Sequence, residues 1–91
     1  MIYFHCDNCI HGEMEPGTVD PRYFRLLLTI GSTGSYKMRK ALEDVLVHGT
    51  SRKDACSKYG VAQSNFSVKY QRLQFVSMTV AQMCLYISKN S

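Results

Sequence analysis

The sequence predicts an all-α fold: a small helical domain of about five helices that contains a helix-turn-helix. Three observations carry that expectation. Met38, Ala41, Leu42, Val45 and Leu46 recur at the i, i+3, i+4, i+7, i+8 spacing of an amphipathic helix. Residues 51–73 read as a capped helix, a glycine turn and a second helix. From Val61 to Ser91 there is neither glycine nor proline to break a helix.

In chain order, residues 1–19 show no sustained period and are expected to form a flexible N-terminal arm. The folded domain spans 20–91. Asp20-Pro21 opens the first helix, because aspartate caps and proline suits the first helical position. Phe24, Leu27 and Leu28 line one face of it, and Gly31 can end it. After the Ser32-Thr33-Gly34 loop, Ser35 is the cap candidate for the buttress helix, which Gly49 ends.

Ser51 then starts the reading motif, with Asp54 completing an S-x-x-D capping box. Ala55, Cys56 and Tyr59 face inward. Cys56 supplies the small side chain needed at a helix crossing, and Gly60, four positions on, supplies the turn. Phe66, Tyr70 and Leu73 give the second helix its inner face. The usual pattern expects an apolar residue three after Phe66. That position is Lys69, and the apolar side chain has moved to Tyr70. Beyond Leu73 the chain is apolar on more than one side, more than a small core can cover, so a homodimer contact is expected on Phe75, Val76, Met78, Val80, Met83 and Leu85. Ser77-Met78-Thr79 is the weakest helical stretch and a candidate break.

Composition narrows the function. The 91 residues carry a formal net charge of +4. Residues 1–20 hold four acidic and no basic side chains, so residues 21–91 set all eleven Lys and Arg against three acids, a net +8. A basic folded part favours a polyanion. No stretch has the ~20 apolar residues of a membrane span, and no secretory leader is apparent, so a cytoplasmic place is expected. Cys6 and Cys9, flanked by His5 and His11, form a C-x-x-C pair. Cys56 and Cys84 each stand alone, so no second ligand pair completes a zinc site. Neither metal nor cofactor is expected. No nucleophile–base set, carboxylate pair or phosphate loop has usable spacing, so the chain reads as a non-enzyme with no small-molecule substrate.

The chain from Pro16 to about Ile87 resembles the PapB family, regulators of pilus and adhesin operons in enteric bacteria. Pro16-Gly17, Phe24, Leu26-Leu27, Leu46-Val47, Ser51-Arg52-Lys53, Cys56, Lys58-Tyr59, Phe66-Ser67 and Arg72-Leu73 carry the resemblance. It implies an all-helical, nucleoid-associated regulator that binds AT-rich operator repeats as a dimer or larger array, with minor-groove contact and with Arg52 and Cys56 important for binding. The HCDNCIH segment at 5–11 has no recognised counterpart in it.

Double-stranded DNA is thus the expected partner. Arg52 and Lys53 begin the motif's first helix, where phosphates usually lie. Gln63, Ser64, Asn65 and Ser67 lie near the start of the second helix, where bases are approached. Lys69 and Arg72 extend the basic surface. In a major groove Gln63 suits adenine; in a narrow AT-rich minor groove Arg52 is the better reader. The rival class is a helical module that binds another regulator or a recombinase and never touches DNA.

Overall fold

The computed structural model describes the backbone of residues 13–31 and 34–90, and side chains up to residue 87. Four helices make up most of it: α1 (Pro21–Gly31), α2 (Tyr36–Leu46), α3 (Arg52–Tyr59) and α4 (Gln63–Asn90). No strand occurs among the described residues.

Short-range chemistry sets the helix starts. The Asp20 carboxylate accepts from the Arg22 amide at 2.7 Å, and this bond holds the Asp20 pKa below its ordinary value. Ser35 Oγ accepts from the Met38 amide at 3.2 Å, and Ser51 Oγ from the Asp54 amide at 3.1 Å. Each satisfies one of the amides a helix start leaves without an internal partner. Gly60 ends α3 in the left-handed region, at φ +67°. There the Val61 amide donates to the Cys56 carbonyl at 2.9 Å, the six-residue closure that a left-handed residue permits.

The core forms where α4 crosses the other three helices. Phe24 and Leu27 of α1 meet Met38, Ala41, Leu42, Val45 and Leu46 of α2, Ala55 and Cys56 of α3, and Phe66 and Leu73 of α4. Val61 is half-buried at the corner between α3 and α4.

Two expectations are corrected. Among the described residues the count is four helices rather than about five, because α4 runs unbroken through Ser77-Met78-Thr79. Ser77 is buried, 1 % exposed, and shares a 2.8 Å hydrogen bond with the Tyr23 hydroxyl of α1. Thr79 Oγ1 donates to the Phe75 carbonyl one turn back. Both hydroxyls are thereby occupied without breaking the backbone ladder. The second correction concerns residues 13–19, the end of the expected flexible arm, which form a docked strap. Met14 and Val19 are buried. The Gln74 side chain receives the Met14 amide and donates to the Met14 carbonyl, both at 2.8 Å. The Gly17 amide donates to Val45 O and the Val19 amide to Leu46 O, satisfying carbonyls at the end of α2. Gly17 and Gly49 both have positive φ, and a Cβ on Gly17 would lie 3.2 Å from the Gly49 Cα, so two backbones pass where side chains would clash. Residues 1–12 of the arm, including Cys6 and Cys9, lie outside the described residues.

Candidate nucleic-acid interface

The surface where α3 meets the first half of α4 collects most of the expected contact residues. Arg52, Lys53, Gln63, Ser64, Asn65 and Arg72 are exposed; Ser67 and Lys69 are half-buried. Phe66 and Leu73 are fully buried, which turns the opposite face of α4, with Ser64, Val68, Gln71 and Arg72, to the outside.

Arg52 is not a free-swinging cation. Its Nη1 donates to Ser67 Oγ at 3.2 Å. Its guanidinium carbon lies 5.4 Å from the Phe66 ring centre and 5.0 Å from that of Tyr70. Those two rings stack, with centres 5.7 Å apart and planes inclined by 29°. Arginine suits such a place because its flat, weakly hydrated head can stack and donate at once.

Lys69 is placed on the other flank of α4. Two residues from Ser67, it is turned by ~200° around the helix. A Cβ on Gly34 would lie 3.8 Å from the Lys69 Cε, so this side chain reaches the loop before α2. The Arg39 head comes to the same loop, Nη1 donating to the Gly34 carbonyl at 3.4 Å. The eight expected contact residues therefore form two basic flanks around one outward face rather than one patch. Arg39 was not expected; nothing in its position relative to the motif signals that α2 would carry it there.

The acidic residues largely lie elsewhere. Asp44 pairs with Lys58 at 3.5 Å and raises its pKa, with the Tyr59 phenol adding to the effect. Lys40 lies 5.7 Å from the Tyr36 ring centre and 3.5 Å from Glu43; the two raise its pKa, Tyr36 the more. Thus two of the three acids in residues 21–91 are matched to lysines outside the expected contact set.

Cys56 lies on α3 among the core residues of all four helices. It is 3 % exposed, and burial pushes its thiol up, against a smaller opposing pull from the Arg52 charge. A thiol raised above its ordinary range is protonated at neutral pH, so it packs as a small apolar group and is a poor nucleophile.

The residues expected at a dimer contact divide. Phe75, Met78, Met83 and Leu85 are exposed, and Tyr86 and Ile87 join them. Val76 and Val80 instead pack, half-buried, against the core of their own chain. No described helix is long and apolar enough to cross a membrane.

Comparison with known proteins agrees with this architecture. The crystal structure of E. coli FocB superposes with a TM-score of 0.76, at 35% sequence identity, over 82% of this chain and 85% of that one. The regulatory protein FanB of Escherichia coli is 38% identical over 68 residues, 75% of this chain and 69% of the relative. The major pilus subunit operon regulatory protein PapB of Escherichia coli is 34% identical over 84 residues, 92% of this chain and 81% of the relative. A family model described as adhesin biosynthesis transcription regulatory protein matches residues 4–87, and so takes in the HCDNCIH segment at 5–11 as well. With the match running from before the strap almost to the end of α4, the chain belongs to the PapB family of adhesin biosynthesis transcription regulatory proteins.

Proposed function

We propose that this protein regulates a fimbrial or adhesin operon by binding DNA directly, with α3 and α4 acting as a helix-turn-helix. The observation that carries the reading is the surface between them. Arg52 and Lys53 on one side and Lys69 and Arg72 on the other flank an outward face with Ser64 and Gln71, while Asp44 and Glu43 are engaged by lysines elsewhere. Cations at the flanks fix register on phosphates, and short polar side chains between them approach base edges. Its relatives include regulators of pilus and adhesin operons, among them one named for the AFA-III adhesin operon.

The preferred targets in this reading are AT-rich repeats, occupied by a homodimer or larger array in the bacterial cytoplasm, on the nucleoid. Association rests on the exposed Phe75, Met78, Met83 and Leu85. Two linked reading units on one duplex raise effective concentration without any new base contact.

Titration of AT-rich and GC-rich duplexes at two salt concentrations tests the proposal. Affinity should favour the AT-rich duplex and fall with salt by about 0.9 log units per log unit for each neutralised phosphate. The exposed apolar second half of α4 favours the rival reading, a module that acts on another regulator or a recombinase. A flat salt response, with no duplex bound, would select that rival.

A further inference from the structure

We infer that Tyr70 and Ser67 are positioning residues for DNA binding: with Phe66, they hold the Arg52 guanidinium in one pose before DNA arrives. The inference deepens the DNA-binding reading and rests on it.

Three contacts fix that head group. Two are faces: the guanidinium carbon lies 5.0 Å from the Tyr70 ring centre and 5.4 Å from that of Phe66. One is an edge: Nη1 donates to Ser67 Oγ at 3.2 Å. The stacked Phe66 and Tyr70 rings act as one platform, and Phe66 is itself immobilised by complete burial. Arg52 nevertheless remains exposed. A guanidinium has five N–H donors, and only one is spent on Ser67. The rest stay available to a phosphate or a base edge, on a side chain whose rotamer freedom is already reduced. Ordering a long side chain only at the moment of contact weakens binding, and preorganisation removes that loss. The arrangement also spans the joint: Arg52 is the first residue of α3, and its three holders lie on α4. The pose therefore depends on how the two helices cross.

A lysine cannot replace this arginine. An ammonium is a strongly hydrated point charge without a flat face to lay on the rings. The ring face of Tyr70 is what matters, so phenylalanine should serve there and leucine should not.

The test is a double-mutant cycle on affinity for an AT-rich duplex, read by fluorescence anisotropy. Tyr70→Leu keeps apolar bulk and removes the platform; it should weaken binding roughly two- to fivefold. Arg52→Ala should weaken it further, and Tyr70→Leu in the Arg52→Ala background should add nothing. Tyr70→Phe should bind like the wild type, and Arg52→Lys should recover little. Thermal melting checks that each variant folds. If Tyr70→Leu does not, Tyr70→Met replaces it, with the same absence of a further loss expected beside Arg52→Ala. A DNA-free readout accompanies the cycle: the Arg52 Hδ and Hε resonances should be shifted upfield by the rings, and Tyr70→Leu should abolish the shift.

Strictly additive losses would overturn the inference. So would a Tyr70→Phe variant as weak as Tyr70→Leu, or the absence of an upfield shift. If the wild type binds DNA and Arg52→Ala binds equally well, the DNA-binding reading stands and this inference falls. If the wild type binds no duplex, both fall, and a surviving ring shift marks the Arg52 pose as helix packing alone.

Discussion

The two halves of α4 are one helix with two kinds of surface. In the first half Phe66 and Leu73 are buried against the other helices, and the outer face is polar and flanked by cations. In the second half burial ends at Ala81, and Phe75, at the junction, is 70% exposed with Leu85 at 56%. Nothing in the backbone marks the change, since the helix is continuous. Helical hydrogen bonding propagates cheaply from an established turn, so the packed half can carry an unpacked extension. A single rigid helix thus spends one half on the core and presents apolar residues along the other, the half on which the proposed association rests.

The largest expected effect separates the halves directly. Leu73→Ala, at a fully buried site, should cost about 2–5 kcal/mol in urea unfolding, enough to threaten a small domain. Leu85→Ala should stay within about 0.5 kcal/mol at protein concentrations below association. Equal losses at high dilution would show that both halves belong to one core.

Association should respond in the opposite sense. A carboxylate at Leu85 (Leu85→Glu) should leave the dilute protein folded and abolish the dimer, because burying an unpaired charge is strongly unfavourable. Sedimentation velocity over a concentration series reads this. A wild-type chain that stays monomeric at tens of micromolar, roughly the range of weak association, would leave the exposed half without its proposed role.

A smaller effect sharpens the account of the first half. Cys56→Leu at the α3–α4 crossing should overpack it and cost about 1–3 kcal/mol, together with DNA binding. Cys56→Ala should keep the fold and most of the binding. Binding lost in a fully folded Cys56→Ala variant would give the thiol a chemical role that its raised pKa argues against. The smallest effect is electrostatic: Arg72→Ala should lower the salt slope of DNA binding by about 0.9 if that side chain meets a phosphate. Lys58→Ala, already paired with Asp44, should leave the slope unchanged.

What the sequence disclosed follows from range. The caps at Asp20, Ser35 and Ser51 were legible because each bond closes within three residues, and so was the Gly60 turn. The apolar period of α2 was legible for the same reason. Ser77 misled, because local propensity treats serine as a weak helix residue and does not know of a tyrosine hydroxyl 54 residues earlier. Val76 and Val80 could not be told from Phe75 and Met78 by hydrophobicity alone; the placement of α1 and α2 against α4 decides which are covered. At the candidate interface, the motif and its cations were visible as residue types. The ring platform under Arg52 and the meeting of Arg39 and Lys69 at Gly34 were not, because both join residues on different helices.

The docked strap also bears on how the chain reaches its native state. The Met14–Gln74 clasp joins residues sixty positions apart, and the Gly17–Gly49 passage closes a loop around all of α1 and α2. The turns linking α2, α3 and α4, by contrast, join near neighbours. Distant closures carry the larger entropic cost, so the local three-helix unit should assemble first and the strap should seal it last. The seal would be the first part to open under native conditions, giving the Met14 amide faster hydrogen exchange than the α2 amides beneath it. A Gly17→Ala change, strained at a positive φ and crowded against Gly49, should then speed unfolding far more than it slows folding.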